Sequence, residues 1–243
     1  MTGISTGIRY PGSVSVRIII ALAFMTASCG LIAGIEDLRG DDVTAMDAAA
    51  DAADPEDGGS SVVVPDPPLE AGCTSTGPVV ARTALVSGGG NDWSNPQAAR
   101  SEDEIPAVAV GSLPIAPTRL LSIFDFGFAV PATATIQGVK VLLRARARFA
   151  GTFRDTVVQL TRNDFGGGFG DNLADVKTFY GTDWGLRQYG STTALWGAPL
   201  TPEVVNASDF GVVYQSRQND AVLPFNLDHQ VDAITMTVYY CTR

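Results

Sequence analysis

Between residues 136 and 149 apolar and charged side chains take turns. Val139, Val141, Leu143, Ala145, Ala147 and Phe149 fall on one side of an extended chain, and Lys140, Leu142, Arg144, Arg146 and Arg148 on the other. A two-residue period suits a strand with one buried face, whereas a helix repeats its faces every 3.6 residues. The signature returns in the β-branched and aromatic runs 156–161, 210–214 and 233–240, and stretches 81–86, 120–130 and 176–180 read as further strands. Gly, Pro, Asn and Asp collect between these runs, and no amphipathic helix pattern interrupts them. About eight strands, each with one face to hide, predict two packed antiparallel sheets. The expectation is an all-β, jelly-roll-like β-sandwich over residues 73–243.

Ahead of that domain the composition changes. Residues 36–70 carry eleven acids and the single base Arg39, which accounts for the whole formal charge of -10. From residue 71 onward acids and bases nearly balance, so the domain offers no electrostatic footprint for phosphate backbones, and no nucleic-acid partner is expected. Asp and Ala repeats, Gly58-Gly59-Ser60-Ser61 and Pro65-Asp66-Pro67-Pro68 leave little apolar surface to bury. Residues 29–72 therefore read as a solvated acidic tether rather than a folded element.

The first residues have the order of an export signal. Arg9 and Arg17 precede the apolar run 18–25, which leads into Ala27, Ser28 and Cys29. Ala27-Ser28-Cys29-Gly30 resembles the lipobox of bacterial lipoproteins, although Thr26 stands where that family usually has leucine. The resemblance implies a signal peptide at 1–28 and lipidation of Cys29, which becomes the new N-terminus and the membrane anchor. Gly30 after the cysteine implies passage to the outer membrane, with either periplasmic or surface display. An uncleaved membrane span over 18–35 is the alternative use of the same residues. Both place the domain in the cell envelope, outside the cytoplasm, where disulfides persist. With Cys29 given to lipid, Cys73 and Cys241 remain as an even pair and are expected to be disulfide-bonded.

A second resemblance rests on Asp92-Trp93-Ser94-Asn95-Pro96, Phe126-Gly127-Phe128, Ile136-Gln137-Gly138-Val139, Leu195-Trp196-Gly197 and Phe210-Gly211-Val212. These markers resemble an uncharacterised jelly-roll-like domain of bacterial surface and phage structural proteins. The resemblance implies the sandwich and an extracellular setting, and carries no functional residue with it.

Chemistry is sparse in this sequence. The only histidine, His229, is expected in a surface loop before the last strand, with no Gly-x-Ser-x-Gly elbow to partner it. One histidine and a bonded cysteine pair leave too few ligands for zinc. Oxygen ligands for calcium are conceivable in the glycine-rich loop at Asp164 and Asp171, with Asp175 close behind, the competing reading being a plain hairpin loop. Trp93 and Trp196 read as core. Trp184, with Arg187 and Tyr189 nearby, reads as a polar loop able to meet a ligand. No catalytic residue is assigned. The expected function is a non-catalytic envelope lipoprotein whose sandwich binds a glycan or an envelope protein. A structural module of an envelope assembly, meeting its neighbours through strand edges or the arginine face of residues 144–148, is one alternative. A polysaccharide hydrolase with two convergent carboxylates drawn from Asp92, Asp103, Asp125 and Asp183 is another.

Overall fold

The alternating run of residues 136–149 becomes one of two long strands, β6 (Thr135–Ala147), paired along its length with β11 (Asp228–Cys241). Around this pair the chain adds β1 (Cys73–Val80), β2 (Thr83–Ser87), β3 (Trp93–Ser94), β4 (Ala107–Val110), β5 (Leu120–Phe124), β7 (Phe153–Thr161), β8 (Gly168–Phe169), β9 (Gly185–Gly190) and β10 (Gly211–Gln218). The computed structural model describes residues 63, 65–162, 167–222 and 227–242. The leader 1–28, Cys29, the tether up to residue 62 and Asp164 lie outside the described residues. Among the described residues no helix is long and apolar enough to cross a membrane.

The strands form two antiparallel sheets packed as a sandwich. One runs β3-β4-β11-β6-β9, with β1 also on β11, and the other runs β2-β5-β10-β7-β8. Their inner faces meet in a single core that includes Val139, Val141, Leu143, Leu121, Ile123, Leu160, Val212, Ile234 and Met236. On β6 the buried and half-buried residues alternate as the sequence predicts, with Lys140, Leu142, Arg144 and Arg146 outward. The disulfide Cys73–Cys241 is formed and joins residues 168 positions apart at the paired ends of β1 and β11.

The strand reading needs correction in several places. Residues 126–130 leave β5 as irregular backbone, where Phe126 and Phe128 stack with ring centroids 5.6 Å apart. Residues 176–180 form no strand and, among the described residues, pair with the β7 backbone at the isolated bridge Arg154–Phe179. The loop read around Trp184 runs straight into β9, an edge strand paired with β6. The short helix α1 (Pro202–Asn206) also escaped the periodicity. It starts on Thr201, whose hydroxyl accepts from the Val204 N–H at 3.3 Å, with Pro202 in the first turn.

Two β-bulges decide what the core contains. In β7 the pairing with β10 slips between Gln215 and Ser216, so Val158 and Asp155, three residues apart, both point inward. In β11 the register slips between Val231 and Ala233, so His229 and Val231 face the core on one side of the bulge and Ile234 and Met236 on the other. A bulge inserts one residue and inverts the alternation beyond it. His229 is therefore not a surface loop residue. It sits within β11 and is fully buried.

Candidate functional site

Inside the sandwich, the bulges aim Asp155 and His229 at Tyr180, Arg187, Tyr189 and Tyr214. The Asp155 carboxylate is fully buried and accepts four donors. Tyr180 donates to Oδ1 at 2.6 Å and Tyr214 to the same oxygen at 3.0 Å. Tyr189 donates to Oδ2 at 2.5 Å and Arg187 Nη1 to it at 2.7 Å. Two carboxylate oxygens offer about four lone-pair sites, so the acceptor is saturated. The Tyr214 hydroxyl lies 2.8 Å from His229 Nε2. If that hydroxyl donates to Asp155, the histidine proton sits on Nε2 and donates to Tyr214. His229 Nδ1 has no hydrogen-bond partner among the described residues.

Burial sets the electrostatics of this cluster. It pushes the His229 imidazole down to about 3, with the Arg187 charge adding to the effect and a backbone contact at Arg146 opposing it. Tyr180, Tyr189 and Tyr214 rise well above the ordinary phenol range, first through burial and then through the Asp155 charge. Arg187 also lies over the Tyr180 ring at 3.6 Å and donates to the Thr178 carbonyl at 3.0 Å. The guanidinium thus balances the carboxylate, the histidine stays neutral, and each phenol keeps its proton. With the Tyr180, Tyr189 and Tyr214 side chains also buried, this is an internal brace with both oxygens of its carboxylate occupied.

The three residues expected to share a ligand site are divided by the sheet. Arg187 and Tyr189 pair with Leu143 and Val141, point inward and join Asp155. Trp184 stays outside. Its half-buried ring lies over the guanidinium of Arg146, 4.2 Å from the ring centroid, and that of Arg144 at 4.9 Å. Both arginines project from the outer face of β6. Arg144 is held by the fully buried Asp232, with Glu102 at 3.6 Å and Glu104 at 3.3 Å. Arg146 donates from Nε to Gln230 Oε1 at 2.8 Å, and among the described residues no carboxylate lies within ion-pair distance of it.

The tryptophans also separate by their indole N–H. Trp93 is buried and donates to the Arg119 carbonyl at 2.8 Å, and Trp196 is buried and donates to the Val139 carbonyl at 2.8 Å. Those two match the core reading. The Trp184 N–H has no acceptor among the described residues.

The other sequence candidates are scattered. Asp175 caps its own turn by accepting the Lys177 and Thr178 N–H groups at 3.0 and 3.1 Å. Asp171 lies against Gly197, where its carboxylate comes within 2.5 Å of the position an added Cβ would take. Among the described residues no three metal-ligating side chains gather for an ion. Asp92 pairs with Arg119 at 3.2 Å and Asp125 with Arg82 at 3.5 Å, while Asp103 accepts the Ile105 N–H at 3.0 Å. The described end of the segment read as a solvated tether is fastened to the sandwich. Asp66 accepts from Lys140 Nζ and, at 2.6 Å, from the Tyr239 hydroxyl, and although burial opposes it these donors hold its carboxyl below the usual range. No protein-family model matches the chain, and no curated protein matches it.

Proposed function

We propose that the chain is an exported lipoprotein of the cell envelope, anchored through Cys29, whose β-sandwich is a non-catalytic binding module. The ligand meets the outer face of the six-stranded sheet at Trp184. One observation carries this reading. Of three tryptophans, Trp184 alone combines a half-buried ring, a fixed orientation over two guanidiniums and an N–H donor with no acceptor among the described residues. A flat amphipathic ring held this way supplies contact area at small entropic cost, and its N–H supplies direction.

The interior cluster favours binding over catalysis for a chemical reason. A general acid or base must reach a substrate proton within about 3 Å, and here the carboxylate, phenols and imidazole face one another. The fastened tether fits the same picture. Asp66 and the disulfide fix the chain where it leaves the sandwich, so the module hangs from a defined point.

Two measurements test the proposal. Palmitate labelling of cells expressing the full chain is expected to tag it, and Cys29→Ser to abolish the tag and release the protein from membranes. A glycan array and an envelope-extract pull-down are expected to yield a ligand that Trp184→Ala loses while its thermal melt is unchanged. Unlabelled protein, or a ligand retained by Trp184→Ala, refutes the corresponding half.

A further inference from the structure

Deepening that reading, we infer that the Trp184 face selects a sugar bearing a single carboxylate, a uronic acid unit, over its neutral counterpart. The arginines along β6 and just past its end differ in how far they are neutralised. Arg144 is surrounded by Asp232, Glu102 and Glu104, and Arg148 has Asp228 at 3.7 Å. Arg146, between them in the chain, has among the described residues no carboxylate partner, only the neutral Gln230 amide and the Trp184 ring. Its guanidinium retains donors that Gln230 does not use, beside a ring whose own N–H has no acceptor among the described residues. Both groups are donors, so the complementary ligand is rich in acceptors.

The ring decides what kind of acceptor. Flat aromatic surface suits the apolar face of a pyranose, and a carboxylate on that pyranose would form a charge-assisted pair with the guanidinium edge. Charge around the platform also limits the ligand. Glu102 and Glu104 flank Arg144, and the exposed Asp183 precedes Trp184 in the chain. Those carboxylates repel a densely charged polyanion more strongly than a single carboxylate whose charge is paired with Arg146. Selection is therefore for one charge per recognised sugar.

Matched pairs isolate the carboxylate: methyl β-glucuronide against methyl β-glucoside, and methyl β-galacturonide against methyl β-galactoside. Each is titrated into the full chain and read by saturation-transfer NMR and indole fluorescence. At least one uronide is expected to bind roughly tenfold more tightly than its neutral partner. The preference should vanish in Arg146→Gln, survive in Arg146→Lys, and all binding should vanish in Trp184→Ala. Neutral and acidic sugars bound equally, with both lost in Trp184→Ala, overturn the uronate assignment and leave the Trp184 platform standing. Equal binding of an acetylated, amidated aspartate overturns the sugar assignment. No binding of any glycoside overturns this inference, and only an array and pull-down ligand insensitive to Trp184→Ala overturns the platform itself.

Discussion

Lowering the pH from 7 to 5 should destabilise the domain through one residue. His229 is fully buried and neutral in the fold, with its folded pKa held near 3 against an ordinary value of 6.5. Between those values the unfolded chain binds a proton that the folded chain refuses. Stability from this group is thus present above pH 6.5 and lost as pH falls toward 3. Integrated over the whole window the loss is about 5 kcal/mol, and from pH 7 to 5 alone about 2 kcal/mol. For a domain of this size that corresponds to roughly 4–8 °C in melting temperature. Few carboxylates titrate above pH 5, and the sequence holds one histidine, so the upper part of the window belongs to His229.

Calorimetry or urea titration at pH 7, 6 and 5, with the disulfide intact, reads the effect directly. His229→Phe is the informative variant. Tyr214 can still donate to Asp155, and the new ring enters an aromatic shell of Phe153, Tyr180 and Trp93. Whatever its stability at pH 7, the variant should change little in stability down to pH 5. A wild-type protein equally stable at both pH values, or a variant with the same slope, would falsify the assignment of a buried neutral histidine.

Other consequences follow from the same contacts. Asp155→Ala removes the acceptor of three phenols and leaves Arg187 charged without its partner, a loss expected at 3–5 kcal/mol by urea titration. The raised phenols give alkaline unfolding its own sign: neutral Tyr180, Tyr189 and Tyr214 stabilise the fold below pH 10, and that stability falls as pH rises beyond it. Absorbance at 295 nm should accordingly show these three ionising together with unfolding rather than before it. Replacing Cys73 and Cys241 by serine opens a loop of 168 positions and should cost about 5 kcal/mol on chain-entropy grounds, checked by calorimetry. Asp66→Ala should cost only about 1 kcal/mol, seen as faster proteolysis near residue 66.

The sandwich was legible because its longest strands obey one rule over many residues. β6 alternates without a break from Val139 to Ala147, and β10 carries Val212 and Tyr214 on one face as the pattern requires. Short edge strands gave weaker signals. β9 reads Gly-Leu-Arg-Gln-Tyr-Gly, in which the inward positions are Arg187 and Tyr189, so a hydrophobic template sees a polar loop. β1 has only two residues, Val79 and Val80, that look like strand core, and its place is set by pairing with β11 and by the disulfide. Edge strands of this kind depend on partners distant in sequence, which local periodicity does not contain.

The interior cluster was hidden for a sharper reason. Counting back from Leu160 and Val158 by twos puts Asp155 on the solvent side, and counting back from Ile234 does the same to His229. Each count fails at a bulge, which lies between the apolar residues counted from and the polar residue reached. Polar residues turned inward in this way need partners, and the partners come from strands and loops on both sheets: Arg187 and Tyr189 from β9, Tyr214 from β10, Tyr180 from the edge of β7. That requirement explains why Arg187 and Tyr189 are unavailable to a ligand and why Trp184, one step outside β9, is not drawn in with them. The parity of a single edge strand separates brace from platform: residues in step with Tyr189 hold the two sheets together, and the tryptophan out of step with it faces solvent over Arg146.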